Sequence, residues 1–145
     1  MSKNGIALIG GSGTQGYWEV DSGTSKNLGL IGLATDDWHG LDFSFYSNSW
    51  KGILWHRDGR VSPKVCSTKP MSYTFNSLLS FENARVLGLL VCCSTTPKVH
   101  FYMDGVQVHS LNIPMELYGR TLFPCGPQRC EGICTPLTLP SVRDL

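Results

Sequence analysis

Two short segments that lie far apart in the chain have the residue pattern of β-strands, and they constrain the fold most strongly. Residues 17–20 alternate bulky and polar side chains, as a strand does when one of its faces is buried. Residues 98–103 are rich in aromatic and β-branched side chains and run directly into Asp104-Gly105, a pair typical of a tight hairpin turn. Between them lie further apolar runs but no convincing helix. The sequence therefore predicts an all-β domain made of two stacked antiparallel sheets.

The composition agrees with short strands that are joined by tight turns. The chain has 145 residues, of which 16% are charged and 16 are glycine, whereas soluble domains average about 25% charged residues and about 7% glycine. The length predicts a single domain with a sizeable core. The net charge of +1 and the scattered basic residues argue against nucleic acid or a membrane as a partner, because both select clustered Lys and Arg.

No secretory signal or membrane-spanning segment is visible in the sequence. Residues 6–11 are apolar, but glycines interrupt them long before the length of about 20 residues that a membrane helix needs. We therefore expect an intracellular, cytoplasmic protein. In that reducing compartment the six cysteines are expected to be thiols rather than disulfides.

Strand signals recur along most of the chain. Residues 6–9 predict an edge strand that is closed by a turn at 10–13, and residues 28–34 and 84–93 predict strands that are buried on both faces. The other predicted strands cover residues 17–21, 50–55, 98–103, 106–111 and 121–123, with a turn at 57–60. From residue 126 onward prolines and polar residues weaken the pattern. We assign 1–125 to the sandwich domain and 126–145 to a divergent tail, for which we expect loose order.

Several of these segments resemble, in order, the motifs of the SPRY domain family. Residues 16–20 (Gly-Tyr-Trp-Glu-Val) are similar to its opening Tyr-Trp-Glu-Val, and residues 99–105 (Val-His-Phe-Tyr-Met-Asp-Gly) to its later Leu-Ser-Phe-Tyr-Lys-Asn-Gly. The other similar segments are residues 30–35, 49–52, 55–59, 86–90 and 122–124. Residues 115–121 also resemble the Asp-Leu-Tyr-Gly-Arg-Thr run of Neuralized-type repeats, a related sandwich.

The chain also departs from the family pattern. Residues 83–84 (Asn-Ala) replace the usual Gly-Asp before the 86–90 segment, and residues 92–93 (Cys-Cys) replace the Leu-Asp after it. The stretch 36–49 is shorter than in many relatives, and no closing strand is evident after Pro124. We therefore expect the family's fold with one altered binding loop and one altered sheet edge.

The resemblance implies a bent sandwich of two antiparallel sheets with a concanavalin-like jelly-roll architecture. It also implies that loops at one end of the sandwich bind a short segment of a partner protein, as the substrate-recognition part of a ubiquitin ligase system. The sequence shows neither a RING nor a SOCS-box segment, so we expect the chain to supply recognition only. Rigid strands suit this role, because loops can vary without disturbing the core.

Aromatic side chains and one arginine are the candidate partner-binding residues. Trp, Tyr and Arg are the residue types that are enriched among interface hot spots. Six candidates lie in predicted loops: Trp38, Phe43, Phe45, Tyr46, Tyr118 and Arg120. By contrast Trp18, Trp50 and Phe101 lie in strand signals, so we expect them in the core.

Catalysis by a cysteine is a weaker interpretation of the sequence. Cys92 or Cys93 with His100 or His109 could form a thiol and its base. However, the two cysteines end a strand that is predicted to be buried, and buried cysteines are usually inert. We therefore expect no catalytic residues.

Metal binding is also a weak interpretation. Cys125, Cys130 and Cys134 are near one another in the sequence, but their spacing is not the paired Cys-x2-Cys of zinc sites. Metal ligation or an oxidised pair in the tail stays open as an alternative. We expect no metal and no cofactor.

Binding of a small ligand or a carbohydrate is a second class of function that the sequence leaves open, since lectins share the sandwich architecture. An exposed aromatic ring flanked by Asp and Asn would favour a sugar. An apolar groove with free main-chain donors would favour a peptide. The sequence does not name the partner or the oligomeric state.

Overall fold

The computed structural model describes residues 6–12, 15–21, 29–35, 51–64, 74–92, 96–125 and 137–138. Within these ranges the secondary structure consists of strands and two short 3-10 helices, Ser77–Leu79 and Met115–Leu117. The strands are β1 (Ile6–Ser12), β2 (Gln15–Asp21), β3 (Leu30–Thr35), β4 (Gly52–His56), β5 (Arg60–Lys64), β6 (Thr74–Phe75), β7 (Val86–Cys92), β8 (Lys98–Met103), β9 (Val106–Asn112), β10 (Thr121–Cys125) and β11 (Leu137–Thr138). No helix in this part of the chain is long and apolar enough to cross a membrane.

The described strands form two sheets. One sheet has five strands in the order β1-β2-β7-β8-β9, and the other has six strands in the order β11-β10-β3-β4-β5-β6. Every neighbouring pair of strands is antiparallel. The predicted all-β class, with two antiparallel sheets in a sandwich, is therefore confirmed.

Alternation along the strands gives the five-stranded sheet one inner and one outer face. In β2 the side chains of Trp18 and Val20 are buried, whereas Tyr17 and Glu19 are half-buried on the other face. The buried side chains of this sheet join one core cluster: Trp18, Val20, Leu87, Leu89, Val91, Val99 and Phe101. The six-stranded sheet faces them with Ile31, Leu33, Ile53, Trp55, Val61 and Leu122. The core thus lies between the two sheets, as expected for a sandwich.

The indole of Trp55 lies at the centre of this core and is fully buried. Its ring meets Phe81 and Phe101 edge-to-face, with ring centroids 5.3 Å away in both cases. Its Nε1 donates a hydrogen bond of 2.9 Å to the carbonyl oxygen of Leu79. One side chain therefore joins the two sheets to the segment that contains the first 3-10 helix. The predicted core positions Trp18 and Phe101 are confirmed, while Trp50 lies outside the described residues.

Both faces of β3 and β4 are buried, as predicted for the first of these strands. The two backbones also approach closely where glycine occurs. A Cβ atom at Gly32 would collide with the carbonyl oxygen of Ile53, and one at Gly52 would collide with that of Leu33. Glycine is thus required at these two positions because a neighbouring main chain occupies the space of a side chain.

Two predicted turns are present in the structure. Asp104 (φ 50°) and Gly105 (φ 83°) both lie in the left-handed region and join β8 to β9, as a tight hairpin requires. The Asp104 side chain also accepts hydrogen bonds from the main-chain nitrogens of Arg85 and Val86, at 3.1 and 2.9 Å. The second turn joins β4 to β5 and has Gly59 at φ 101°. Through its hydrogen bonds to Arg85 and Val86, Asp104 ties the β8–β9 hairpin to the start of β7.

Two local predictions are wrong. The turn predicted at 10–13 does not begin there, because β1 continues to Ser12 with a register shift between Leu8 and Gly11. Glycine in a strand accommodates such a bulge as readily as a turn. The segment predicted as buried on both faces, 84–93, forms β7 (Val86–Cys92), and its outer face is only half-buried. In addition β11, which pairs with β10, is a strand that the sequence did not predict.

We expect Trp55→Phe to lower the free energy of unfolding by about 2–4 kcal/mol, because it leaves a cavity and a buried carbonyl oxygen without its donor. Urea unfolding followed by circular dichroism measures this change. As a control, Val106→Thr alters an exposed side chain of similar shape and should change the free energy by no more than about 0.5 kcal/mol. Equal stability of the two variants would contradict the central role of the indole.

The buried imidazole of His56 predicts that stability falls in mild acid. Burial lowers its pKa, and the positive charge of Arg60 lowers it further against the opposing effect of Asp58. Above the ordinary pKa of about 6.5 the ring is neutral in both states. Below it the unfolded chain takes up a proton that the folded chain excludes, so unfolding becomes easier.

This pH dependence is measured by urea unfolding between about pH 7.5 and about pH 5. We expect the free energy of unfolding to fall toward the acidic end in the native chain, and to fall less steeply in His56→Gln. Trp55→Phe is the matched control, since it lowers stability without removing a titrating group and should keep the native slope. An unchanged slope in His56→Gln would refute the role of this histidine.

Candidate functional site

The loop between β9 and β10 closes one end of the sandwich, and its backbone is held firmly. Ile113 and Leu117 are buried in the core cluster. The main-chain nitrogen of Ile113 donates to the carbonyl oxygen of Pro97 at 2.9 Å, which ties the loop to the residue before β8. Three more hydrogen bonds of 3.0 Å lie within the loop, from Leu117 to Pro114, from Tyr118 to Met115 and from Arg120 to Leu117. The loop is therefore a pre-ordered surface.

Two of the predicted partner-binding residues lie in this loop. The ring of Tyr118 is half-buried and packs against the core cluster, and Arg120 is half-buried directly before β10. Gly119 separates them at φ 78°, a left-handed conformation that suits glycine. Met115 precedes them and is 62% exposed. Sequence reasoning missed Met115, because a methionine among apolar residues is typical of a core position.

The other four predicted residues lie outside the described part of the chain: Trp38, Phe43, Phe45 and Tyr46. The residues that flank their segment are described. Thr35 N donates to Lys51 O at 2.9 Å, and Lys51 N donates to Thr35 Oγ1 at 3.0 Å. Thr35 is also paired with Leu122 near the start of β10. The connection 36–50 therefore leaves and rejoins the sheet at the end that carries the loop with Tyr118 and Arg120.

The opposite end of the sandwich also has exposed apolar side chains. Phe75 and Leu78 lie beside the β4–β5 turn, and Val106 directly follows the β8–β9 turn. Leu78 is the most exposed of them, at 77%. No aromatic or arginine candidate was predicted there. These residues serve as controls for binding at the loop end.

Three of the four residues of the thiol and imidazole pairs considered from the sequence lie within the described ranges, namely Cys92, His100 and His109. Cys92 is half-buried on the outer face of the five-stranded sheet. His109 lies on the inner side, where its ring is 5.5 Å from that of Phe101 and burial lowers its pKa. His100 shares the outer face, but its Nδ1 is buried and has no hydrogen-bond partner. Cys93 is outside the described residues.

Metal ligation by the tail cysteines stays untested. Cys125 ends β10, whereas Cys130 and Cys134 lie beyond the described residues. Among the residues that are described, no group of three or more His, Cys, Asp or Glu side chains is placed to hold a metal ion.

A second polar surface lies on the outer face of the five-stranded sheet. Register places Glu19, Gly88, Tyr102 and Gln107 side by side across four neighbouring strands. Because Gly88 has no side chain, it leaves a notch in the middle of this row. The phenol of Tyr17 fills the notch, since a Cβ atom at Gly88 would collide with its ring and hydroxyl.

The Tyr17 side chain has one polar neighbour and one aromatic neighbour. Its hydroxyl donates to Glu19 Oε1 at 3.0 Å, and its ring stands 79° to that of Tyr102 with centroids 6.0 Å apart. The Tyr102 hydroxyl in turn donates to Gln107 Oε1 at 3.4 Å. Burial and the Glu19 carboxylate raise the pKa of Tyr17 to about 12. We call Tyr17, Tyr102 and Glu19 the tyrosine corner.

Comparison of the chain with protein-family models, with curated proteins and with solved structures finds no match. The resemblance to SPRY domains therefore stays a prediction from the ordered motifs. Function has to be inferred from the geometry of the described residues.

Sequence reasoning missed the tyrosine corner as a surface, although one signal for it was present. Alternation in residues 17–20 puts Tyr17 and Glu19 on the face opposite Trp18 and Val20. Tyr102 is distant in the sequence and joins them only through the register of β2, β7 and β8. Cross-strand register is not encoded in any single segment, so the corner needed the structure.

We expect Glu19→Gln to lower the pKa of Tyr17 from about 12 toward, but not to, the ordinary value of about 10, because the carboxylate charge is lost and burial remains. Titration of Tyr17 by NMR with ring-labelled tyrosine measures the midpoint. Gln107→Ala is the control, since Gln107 contacts Tyr102 rather than Tyr17. A native midpoint in Glu19→Gln would show that the carboxylate does not act on this phenol.

Proposed function

We propose that this protein is a non-catalytic protein-interaction module that binds a short segment of a partner through the loops at one end of its sandwich. The observation that carries the proposal is the loop between β9 and β10. It presents Met115, which is 62% exposed, beside the half-buried Tyr118 and Arg120 on a hydrogen-bonded backbone. Tyr and Arg are frequent hot-spot residues, and methionine adapts to varied apolar partners.

Pre-ordering of the loop supports binding rather than a purely structural role. Buried Ile113 and Leu117 anchor its two halves, and the Pro97 carbonyl fixes its start. A loop that is already ordered loses little conformational entropy when a partner binds, so more of the contact energy appears as affinity. An exposed apolar side chain contributes favourable free energy only when another molecule covers it and removes its surface from water.

The position of the connection 36–50, which begins and ends beside this loop, supports a composite surface. Its flanking residues Thr35 and Lys51 are hydrogen-bonded to each other beside Leu122, at the same end of the sandwich. The predicted candidates Trp38, Phe43, Phe45 and Tyr46 belong to this connection. We propose that they contribute to the same surface as Tyr118 and Arg120.

The SPRY resemblance extends the proposal. An intracellular module of that kind would recognise a substrate for a ubiquitin ligase whose catalytic parts are on other chains. The ordered motifs between residues 16 and 124 support this finer assignment.

The experiment is a display selection of short random peptides on the immobilised chain, followed by affinity measurement of an enriched peptide. We expect Met115→Ser to weaken its binding about tenfold or more, which corresponds to about 1.4 kcal/mol. A Trp38→Ala/Tyr46→Ala double variant should weaken it as well, because the same surface is lost.

Leu78→Ser is the matched control, because Leu78 is also exposed but lies at the opposite end of the sandwich. Its affinity for the peptide should equal that of the native chain. The proposal fails if no peptide is enriched, or if peptides bind Met115→Ser and the double variant as tightly as the native chain. Circular dichroism verifies that each variant is folded.

A further inference from the structure

The tyrosine corner has the geometry of a cation-binding surface. The rings of Tyr17 and Tyr102 stand 79° to each other with centroids 6.0 Å apart. Aromatic faces attract ammonium groups within about 6 Å of the ring, through the negative potential of their π-electrons. In this edge-to-face pair the rings are nearly perpendicular, so a cation beside the pair can lie against the face of one ring while the other ring flanks it.

Glu19 adds a negative charge to the corner. Its carboxylate accepts the Tyr17 hydroxyl at 3.0 Å and, among the described residues, no basic side chain is paired with it. By contrast, the carboxylate of Asp58 is bound to Arg60, and that of Asp104 accepts two main-chain nitrogens. A carboxylate accepts up to four hydrogen bonds, so Glu19 retains capacity for a ligand. The charge of the corner is complementary to a cation.

We propose that the tyrosine corner binds the ammonium group of a lysine side chain, methylated or not, in a segment of a partner protein. Tyr17 and Tyr102 supply the aromatic rings and Glu19 supplies the counter-charge. The Tyr17–Glu19 hydrogen bond fixes one ring and the carboxylate relative to each other, so the site is formed before the ligand arrives. This surface is separate from the loop end, and its failure would leave the proposed function untouched.

The shape of the surface favours a protein segment over a small free cation. The rings of Tyr17 and Tyr102 lie on the outer sheet face, where they are only half-buried. A cleft with a volume of ≈ 20 Å³ lies between the sheets, lined by Glu19 together with Trp18, Ile31, Leu89 and Pro124 among others. Small ligands need a concave site that buries most of their surface. A peptide backbone would instead extend along the sheet face past Leu90, which is half-buried beside Tyr17.

The test uses a short Gly/Ser-rich peptide with one central trimethyllysine, titrated into the full chain while the tyrosine ring resonances are followed by NMR. We expect saturable shifts of Tyr17 and Tyr102. The same peptide with the neutral tert-butyl isostere should bind about tenfold more weakly, because it has the same shape without the charge. The unmethylated lysine peptide should also bind more tightly than the isostere.

Variants of the chain locate the site. Glu19→Gln removes the charge but keeps the shape of the side chain, and should weaken binding about fivefold or more; Tyr102→Leu removes one ring and should weaken it about tenfold. Met115→Ser changes only the loop end and should bind like the native chain, which separates this proposal from the proposed function. The amide spectrum of each variant reports whether it is folded.

Four results would overturn the proposal. One is equal affinity for the charged peptide and its neutral isostere, and another is native affinity in Glu19→Gln. A third is the absence of saturable tyrosine shifts up to about 10 mM peptide, since weaker binding is not specific. The fourth is displacement of the peptide by a neutral oligosaccharide, which would assign the two rings to sugar stacking instead.

Discussion

The rest of this structure depends on one constraint. The indole of Trp55 is fully buried, and its single polar atom must therefore make a hydrogen bond inside the core. Trp55 is large enough to reach from its own sheet to Phe101 in the other, and its ring also meets Phe81. Its N–H cannot be left without a partner in an apolar interior, because an unmade buried hydrogen bond is costly. The carbonyl of Leu79 supplies that partner at 2.9 Å. The same contact that fills the core therefore also fixes the segment that precedes β7.

The surfaces of the molecule follow from how this core is closed. At the loop end, Leu117 enters the core cluster and thereby turns Met115 and its neighbours into a fixed external feature. On the outer sheet face the determining residue is Gly88, whose missing side chain admits the Tyr17 phenol between Glu19 and Tyr102. In both places the packing around one residue decides which groups are presented outward. The exposed chemistry is thus positioned by the scaffold rather than by flexible side chains alone.

Local patterns were sufficient to predict most of the strands but not their partners. Trp18 and Phe101 were predicted as core because alternation and hydrophobicity act within one segment, and the Asp104-Gly105 turn was predicted because it depends on two residues. The turn at 10–13 was predicted wrongly because glycine is equally suitable for a β-bulge and for a turn. The short β11 has little pattern of its own and depends on β10 for its hydrogen bonds. Of the six predicted binding residues, only Tyr118 and Arg120 lie within the described ranges, and the tyrosine corner depends on a register that no local pattern carries.

The tyrosine corner lies a short distance along β8 from the point where the loop between β9 and β10 is anchored. Strand β8 begins at Lys98, next to the Pro97 carbonyl that anchors the loop, and Tyr102 in the corner lies four residues after Lys98. At about 3.3 Å per residue this path is about 13 Å long, the length of a few extended residues. When two modest contacts are made by one segment, the second forms at high effective concentration, and their joint affinity exceeds that of either alone. If a partner segment had a lysine a few residues from its apolar anchor, its affinity would therefore exceed the affinity of either contact alone. The two contacts would also fix the direction in which the segment binds.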